Sequence, residues 1–172
     1  AYAFAAAGVK VALVEADQIG RASSANAFGW IADGPGGFHR LEQRLGVRSA
    51  RRAWQAWRRA ALDLSALLRR LEVRCALEPR QALTIARTAE QAPTVKREAK
   101  SRKAAGLDAV LVGPRQAQPE TGTETTAALR TRDGATLDPY RAVLGLAMAA
   151  VDRGAVLFER SRVTRIRTGP KS

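Results

Sequence analysis

A chain of 172 residues, 46% of them hydrophobic, is long enough to bury a core, and its formal charge of +13 makes it strongly basic. The single cysteine, Cys75, excludes an intrachain disulfide and a thiolate metal cage, and the single histidine, His39, excludes a two-histidine metal site. No stretch approaches the roughly 20 apolar residues that cross a bilayer, and "AYAFAAAG" at the start lacks the basic opening of a secretory signal, so a reducing, cytoplasmic setting is expected.

Residues 1–7 read as the end of a helix, with Gly8 just past it. "VKVALVEA", 9–16, has the apolar run of a buried parallel strand. Residues 17–38 are rich in Gly, Ser, Asn and Asp and read as loop. A helix is expected from Ser49 to Leu71, where Trp54, Trp57, Ala61, Leu64, Leu68 and Leu71 share one stripe. Residues 75–88 read as two short strands broken near Pro79. Thr88 is then expected to cap a helix over 89–105 that Gly106 ends. "LDAVLVGP" reads as a short strand. The polar, turn-rich segment 114–137 contains one strand, around 127–132.

Asp138 is a good N-cap and Pro139 suits the first helical position, so a helix starts there. Leu144, Met148 and Val151 line one of its faces, and Gly154 stops it. "AVLFE", 155–159, is then a buried strand, and "VTRI", 163–166, another short one. Both ends are therefore α/β in character, with an inserted middle of helices and strands.

Of the 29 basic residues, 24 are arginines spread along the chain rather than gathered in one tract. A coding bias toward Arg and Ala accounts for such a composition. No helix-turn-helix spacing, aromatic RNA-binding strand motif or zinc knuckle accompanies the charge. The sequence thus points away from nucleic acid, and a basic nucleic-acid-binding module or an inactive remnant stands as the alternative reading.

The residues that could carry chemistry lie near the start. An acid at the end of a strand, as Glu15 is, accepts hydrogen bonds from ribose hydroxyls in a dinucleotide-binding unit; it can also be a solvated strand end. In "GRASSAN", Ser23 and Ser24 can donate to phosphate oxygens and Asn26 can fix the loop, or the segment is an ordinary polar turn. Trp54 and Trp57, at helical spacing, read as core. Cys75 reads as a small apolar filler.

Taken together, "GVKVALVEADQIGRASSANAFGW" resembles the FAD-binding segment of the D-amino-acid oxidase-like family of FAD-dependent oxidoreductases. Members read A-G-x-x-V-x-L-x-E and then G-x-A-S-x-x-N-x-G; Gly8, Val11, Leu13, Glu15, Ala22, Ser23 and Asn26 match. Arg21 and Phe28 depart from glycines of that pattern, with Gly29 one place late. "ALTIARTAEQ" with "KAAGLDAVLV" is similar to the family's middle region, and "LDPYRAVLGLAMAAVDRGAVLFERSRVTRI" to its return to the FAD domain.

The resemblance implies an α/β fold: a partial Rossmann-like FAD-binding domain, 1–40 and 138–172, with an inserted α+β substrate-domain segment, 41–137. It implies FAD as cofactor, bound by Glu15, Ala16, Ser23, Ser24, Asn26 and the backbone of Val163. It implies a small-molecule amine or amino-acid substrate, oxidised by hydride transfer to flavin. His39, Arg40 and Arg44 follow this loop and could approach the flavin ring in a complete enzyme, with His39 otherwise read as a surface loop residue; no catalytic group is assigned. The family's opening G-x-G-x-x-G and its later half have no counterpart here, so a complementary chain is expected to supply them.

Overall fold

The computed structural model describes residues 1–167 and 169. The chain divides into two compact units. The first contains Ala1–Gly29, Leu67–Leu77 and the chain from Leu137 onward; the second contains Trp30–Ala66 and Glu78–Thr136.

In the first unit, helix α1 (Tyr2–Ala6) leads through Gly8 into strand β1 (Ala12–Val14). Helix α5 (Pro139–Val151) leads into β6 (Val156–Phe158), which pairs in parallel with β1, Leu13 opposite Leu157. Asp138 caps α5 as expected, its carboxylate accepting the Arg141 N–H at 3.0 Å. Two small cores hold the unit. Ala5, Ala150 and Ala155 pack with Tyr2 and Val11; Leu68, Cys75 and Ala142 pack with Val73, Leu137 and Leu146. The buried face of α5 is therefore its alanine face. Met148, 66% exposed, and Val151 lie outside it, because alanine allows the close approach that a larger residue prevents. Gly145 belongs to the same close approach: a Cβ there would collide with Val73.

The second unit is a layered α+β body. Strand β5 (Ala127–Thr136) is its axis. On one edge it pairs antiparallel with β3 (Glu78–Ala86) along nearly its whole length. Along the rest of its pairing, β2 (Trp30–Ile31) meets Ala135 and Thr136, and β4 (Val110–Val112) meets Ala128 to Arg130. Helix α3 (Ala92–Ala104) covers one face through Val95 and Ala99 against Ala86, Ala127 and Leu129. Helix α4 (Pro114–Thr121) covers the other, with Ala117 against Val112 and Ala128. Helix α2 (Phe38–Arg70) adds Phe38, Ala50 and Trp54 against Ala105. Its last turn belongs to the first unit.

Several expectations are corrected. Helix α2 begins at Phe38, not Ser49, and bends at Gly46, whose φ of 73° is open only to glycine at that ψ. Residues 78–86 form one strand despite Pro79: β3 pairs on one side only, so the missing N–H of proline is not needed, and the register shifts between Arg80 and Ala82. Helix α3 starts at Ala92 with Gln91 as N-cap; Thr88 contributes its carbonyl, not its side chain. Pro114 and Pro119 sit inside α4 rather than in a turn. Trp57 is 48% exposed and Leu64 is exposed too, so only part of the α2 stripe is core. No strand forms at Val163–Ile166: Val163 is 58% exposed, and β1 is the sole partner of β6 among the described residues.

Candidate functional site

The C-terminal ends of β1 and β6 meet at Glu15. Its N–H donates to the Phe158 carbonyl at 2.8 Å, and its carbonyl accepts the Ser161 N–H at 2.8 Å. These bonds carry the contact one residue past β1 and as far as Ser161 beyond β6. The half-buried Glu15 carboxylate accepts the Asp17 N–H through Oε1 at 3.0 Å. Its second oxygen has no hydrogen bond within the described residues and remains an acceptor for a ligand. Glu159 does the same work from β6: Oε1 accepts the Ile19 N–H at 2.9 Å. The Arg160 N–H in turn reaches the Asp17 carbonyl at 2.8 Å. Glu159 and Arg160 escaped sequence reasoning. An acid just past a strand end was the available signal, as it was for Glu15.

Ala16 is exposed beside this turn. Ser23, Ser24 and Asn26 come together as a single 3₁₀ turn over Ser24–Asn26. Asn26 Nδ2 donates to the Ala22 carbonyl at 3.0 Å, which locks the turn. Ser23 makes no side-chain cap, so its exposed hydroxyl is free to donate outward. Two glycines seat this loop against the start of α5. A Cβ on Gly20 would lie 3.0 Å from the Tyr140 ring, and one on Gly29 would collide with the Leu137 carbonyl; both have positive φ. Gly29 thus takes the positive-φ position one place after Phe28. Val163 follows Ser161 in irregular chain and joins neither group.

A second polar cluster lies wholly within the other unit. The Glu98 carboxylate on α3 accepts the N–H groups of Phe38 at 2.7 Å and His39 at 2.8 Å, and so caps α2 from another element. Arg102 Nε donates to the same carboxylate at 2.7 Å, its guanidinium lies 4.3 Å over the Trp54 ring, and Nη1 reaches Asp33 at 3.5 Å. Burial pushes the Asp33 carboxyl above its usual range, against the pull of Arg102. His39 Nδ1 lies 2.9 Å from Ser101 Oγ and 3.7 Å from Glu42. Both partners converge on one ring nitrogen, so the opposed contacts of a nucleophilic relay are missing. Among the described residues no His, Cys, Asp and Glu group has the makings of a metal site. No described helix is long and apolar enough to cross a membrane.

The sequence profile of the family described as FAD dependent oxidoreductase matches residues 1–171. A comparison with curated protein sequences finds no match. Among solved structures, glycine oxidase from Bacillus cereus superposes with a TM-score of 0.72 at 19% identity, over 98% of this chain and 44% of that one. Glycine oxidase from Geobacillus kaustophilus gives 0.73 at 19% identity, over 96% and 44%. L-alpha-glycerophosphate oxidase from Mycoplasma pneumoniae, solved with FAD bound, gives 0.70 at 18% identity, over 95% and 41%. The chain therefore spans less than half the length of these structural relatives, and at such identities the likeness is one of fold. With its profile match running almost from end to end, the chain belongs to the DAO family of FAD-dependent oxidoreductases.

Proposed function

We propose that the first unit is the adenosine end of an FAD site and that the second is an inserted substrate-domain segment. The whole enzyme would oxidise a small amine or amino acid. The observation that carries this reading is Glu15: a strand-end carboxylate with one oxygen spent on its own turn and the other free for a ribose hydroxyl. The outward hydroxyl of Ser23 and the half-buried Ser24 suit phosphate oxygens, with Asn26 holding the turn in shape. Ala16 offers backbone beside the adenosine, and Val163 offers its main chain to the base. The fit is to one end of the cofactor only. Segment 1–11, ahead of β1, contains no glycine-rich turn opening onto a helix, so the usual pyrophosphate donors must come from elsewhere.

Bound FAD supplies a two-electron acceptor for a carbon bearing an amine. What this chain contributes is binding and orientation of the adenosine half. Further residues, of this chain or of a complementary polypeptide, would bring the remaining donors and the substrate-facing groups. The parallel pair itself supports such an addition. One face of it, Ala12, Val14, Val156 and Phe158, is exposed, whereas parallel strands are ordinarily covered on both faces.

FAD titration, followed by flavin fluorescence, tests the reading. Saturable binding weakened about 10- to 100-fold by Glu15→Ala is expected, the range for a hydrogen bond to a charged group. A folded chain that binds neither FAD nor ADP at millimolar concentration would sink it.

A further inference from the structure

Helical phase gathers arginines that look scattered in sequence. Helix α2 carries nine arginines against two acids, Glu42 and Asp63. Beyond the bend at Gly46, Trp54, Ala61 and Ser65 face inward. At 3.6 residues per turn, Arg48, Arg51, Arg52 and Arg59 fall on one flank of that face, with Gln55 among them, and all are exposed. The opposite flank is Ala53, Ala56 and Ala60. Arg58, at the stripe's inner margin, is paired with Asp133 at 2.5 Å. Among the described residues no ion pair reaches the other four. Arg48 stands three and four residues before Arg51 and Arg52, spacings at which like charges repel along a helix. The stripe carries a standing electrostatic cost that a polyanion would relieve.

We propose that the stripe of Arg48, Arg51, Arg52 and Arg59 is a docking surface for the sugar–phosphate backbone of a nucleic acid. The four guanidiniums, spread over about 16 Å of helical rise on long side chains, can each take a separate phosphate of the backbone. Arginine, not lysine, supplies every positive charge, and its planar fork suits phosphate oxygens; Asp63, four residues after Arg59, is the one acid at the stripe's edge. Leu62 is the one large apolar side chain sharing the flank, so the stripe has no apolar face to lay between lipids. No base-reading element accompanies it, so binding is indifferent to base sequence. The surface lies entirely within the second unit and stands independently of the FAD reading.

The test is fluorescence anisotropy with a labelled 20-mer duplex and its single strand, across a salt series on the full chain. Four phosphate contacts predict an affinity loss of about 100-fold between 50 and 200 mM salt. The triple variant R48Q/R52Q/R59Q is expected to cut that loss to about 3-fold. The control R87Q/R132Q/R153Q, of identical net charge, keeps the full salt dependence. Removing repelling charges from an exposed helix leaves the fold intact, which circular dichroism checks. Equal loss in both variants overturns the proposal, because net charge alone would then explain binding. So does failure of the wild type to bind at 50 mM salt. Polyglutamate or anionic phosphatidylserine vesicles binding more tightly than either DNA overturns it too, in favour of an acidic protein or a membrane.

Discussion

Glu15 and Asp33 are both carboxylates, and their surroundings give them opposite tasks. Glu15 stands at a strand mouth with an oxygen to spare; Asp33 is pressed into the second unit beside Arg102. Since burial raises the Asp33 carboxyl above its unfolded value, the folded state binds that proton more tightly. Its share of stability is then gained as pH falls toward the unfolded pKa and lost as pH rises through the folded one. Asp33→Asn should flatten the stability–pH curve above the ordinary carboxyl range, in urea melts at a series of pH values. An unchanged slope would assign the effect to other groups. Gly29 gives a sharper case. Its positive φ and the Leu137 carbonyl in the path of a Cβ together predict a loss of about 1–3 kcal/mol or more for Gly29→Ala. The same urea melts measure it, and a neutral result would mean the loop shifts freely.

Among the elements, those with local signals were legible and those with tertiary ones were not. The Asp138–Pro139 start of α5 is written in two adjacent residues, and the structure uses both. The start of α2 is not: its cap, Glu98, is sixty residues away, and no local pattern names Phe38 as a first turn. Strand β2 is two residues long and exists only because β5 offers it an edge. In the candidate site, Glu15, Ser23 and Asn26 stand in a motif, while Glu159 had the same strand-end signal but no motif, and its bond to the Ile19 N–H depends on β6 lying beside β1. Glu98→Ala should therefore speed hydrogen exchange at the Phe38 and His39 amides while leaving Trp54 protected. Uniform deprotection of α2 would instead make Glu98 a support for the whole helix. Trp54→Ala, which empties the ring beneath Arg102 and beside Phe38, should cost about 3–5 kcal/mol.

The two units are interleaved in sequence: the second lies between the outer segments of the first and is itself interrupted by Leu67–Leu77. An exposed strand face on the first unit predicts concentration-dependent self-association, which Phe158→Lys should suppress in sedimentation velocity. Unchanged association would clear this face. The threading also fixes a schedule. Ala12 pairs with Val156, so β1 waits for nearly the whole chain before it has a partner. At ribosomal speeds that is a wait of roughly 10–30 s. The second unit can start sooner, since β5 follows β3 and β4 in the chain, although β2 must wait for the end of β5. The chain's chromophores happen to separate the two clocks. Trp30, Trp54 and Trp57 all belong to the second unit, and Tyr2 and Tyr140 to the first. Tryptophan emission would time the early body and tyrosine the late one, so a single refolding trace at two wavelengths reads the order in which the molecule is assembled.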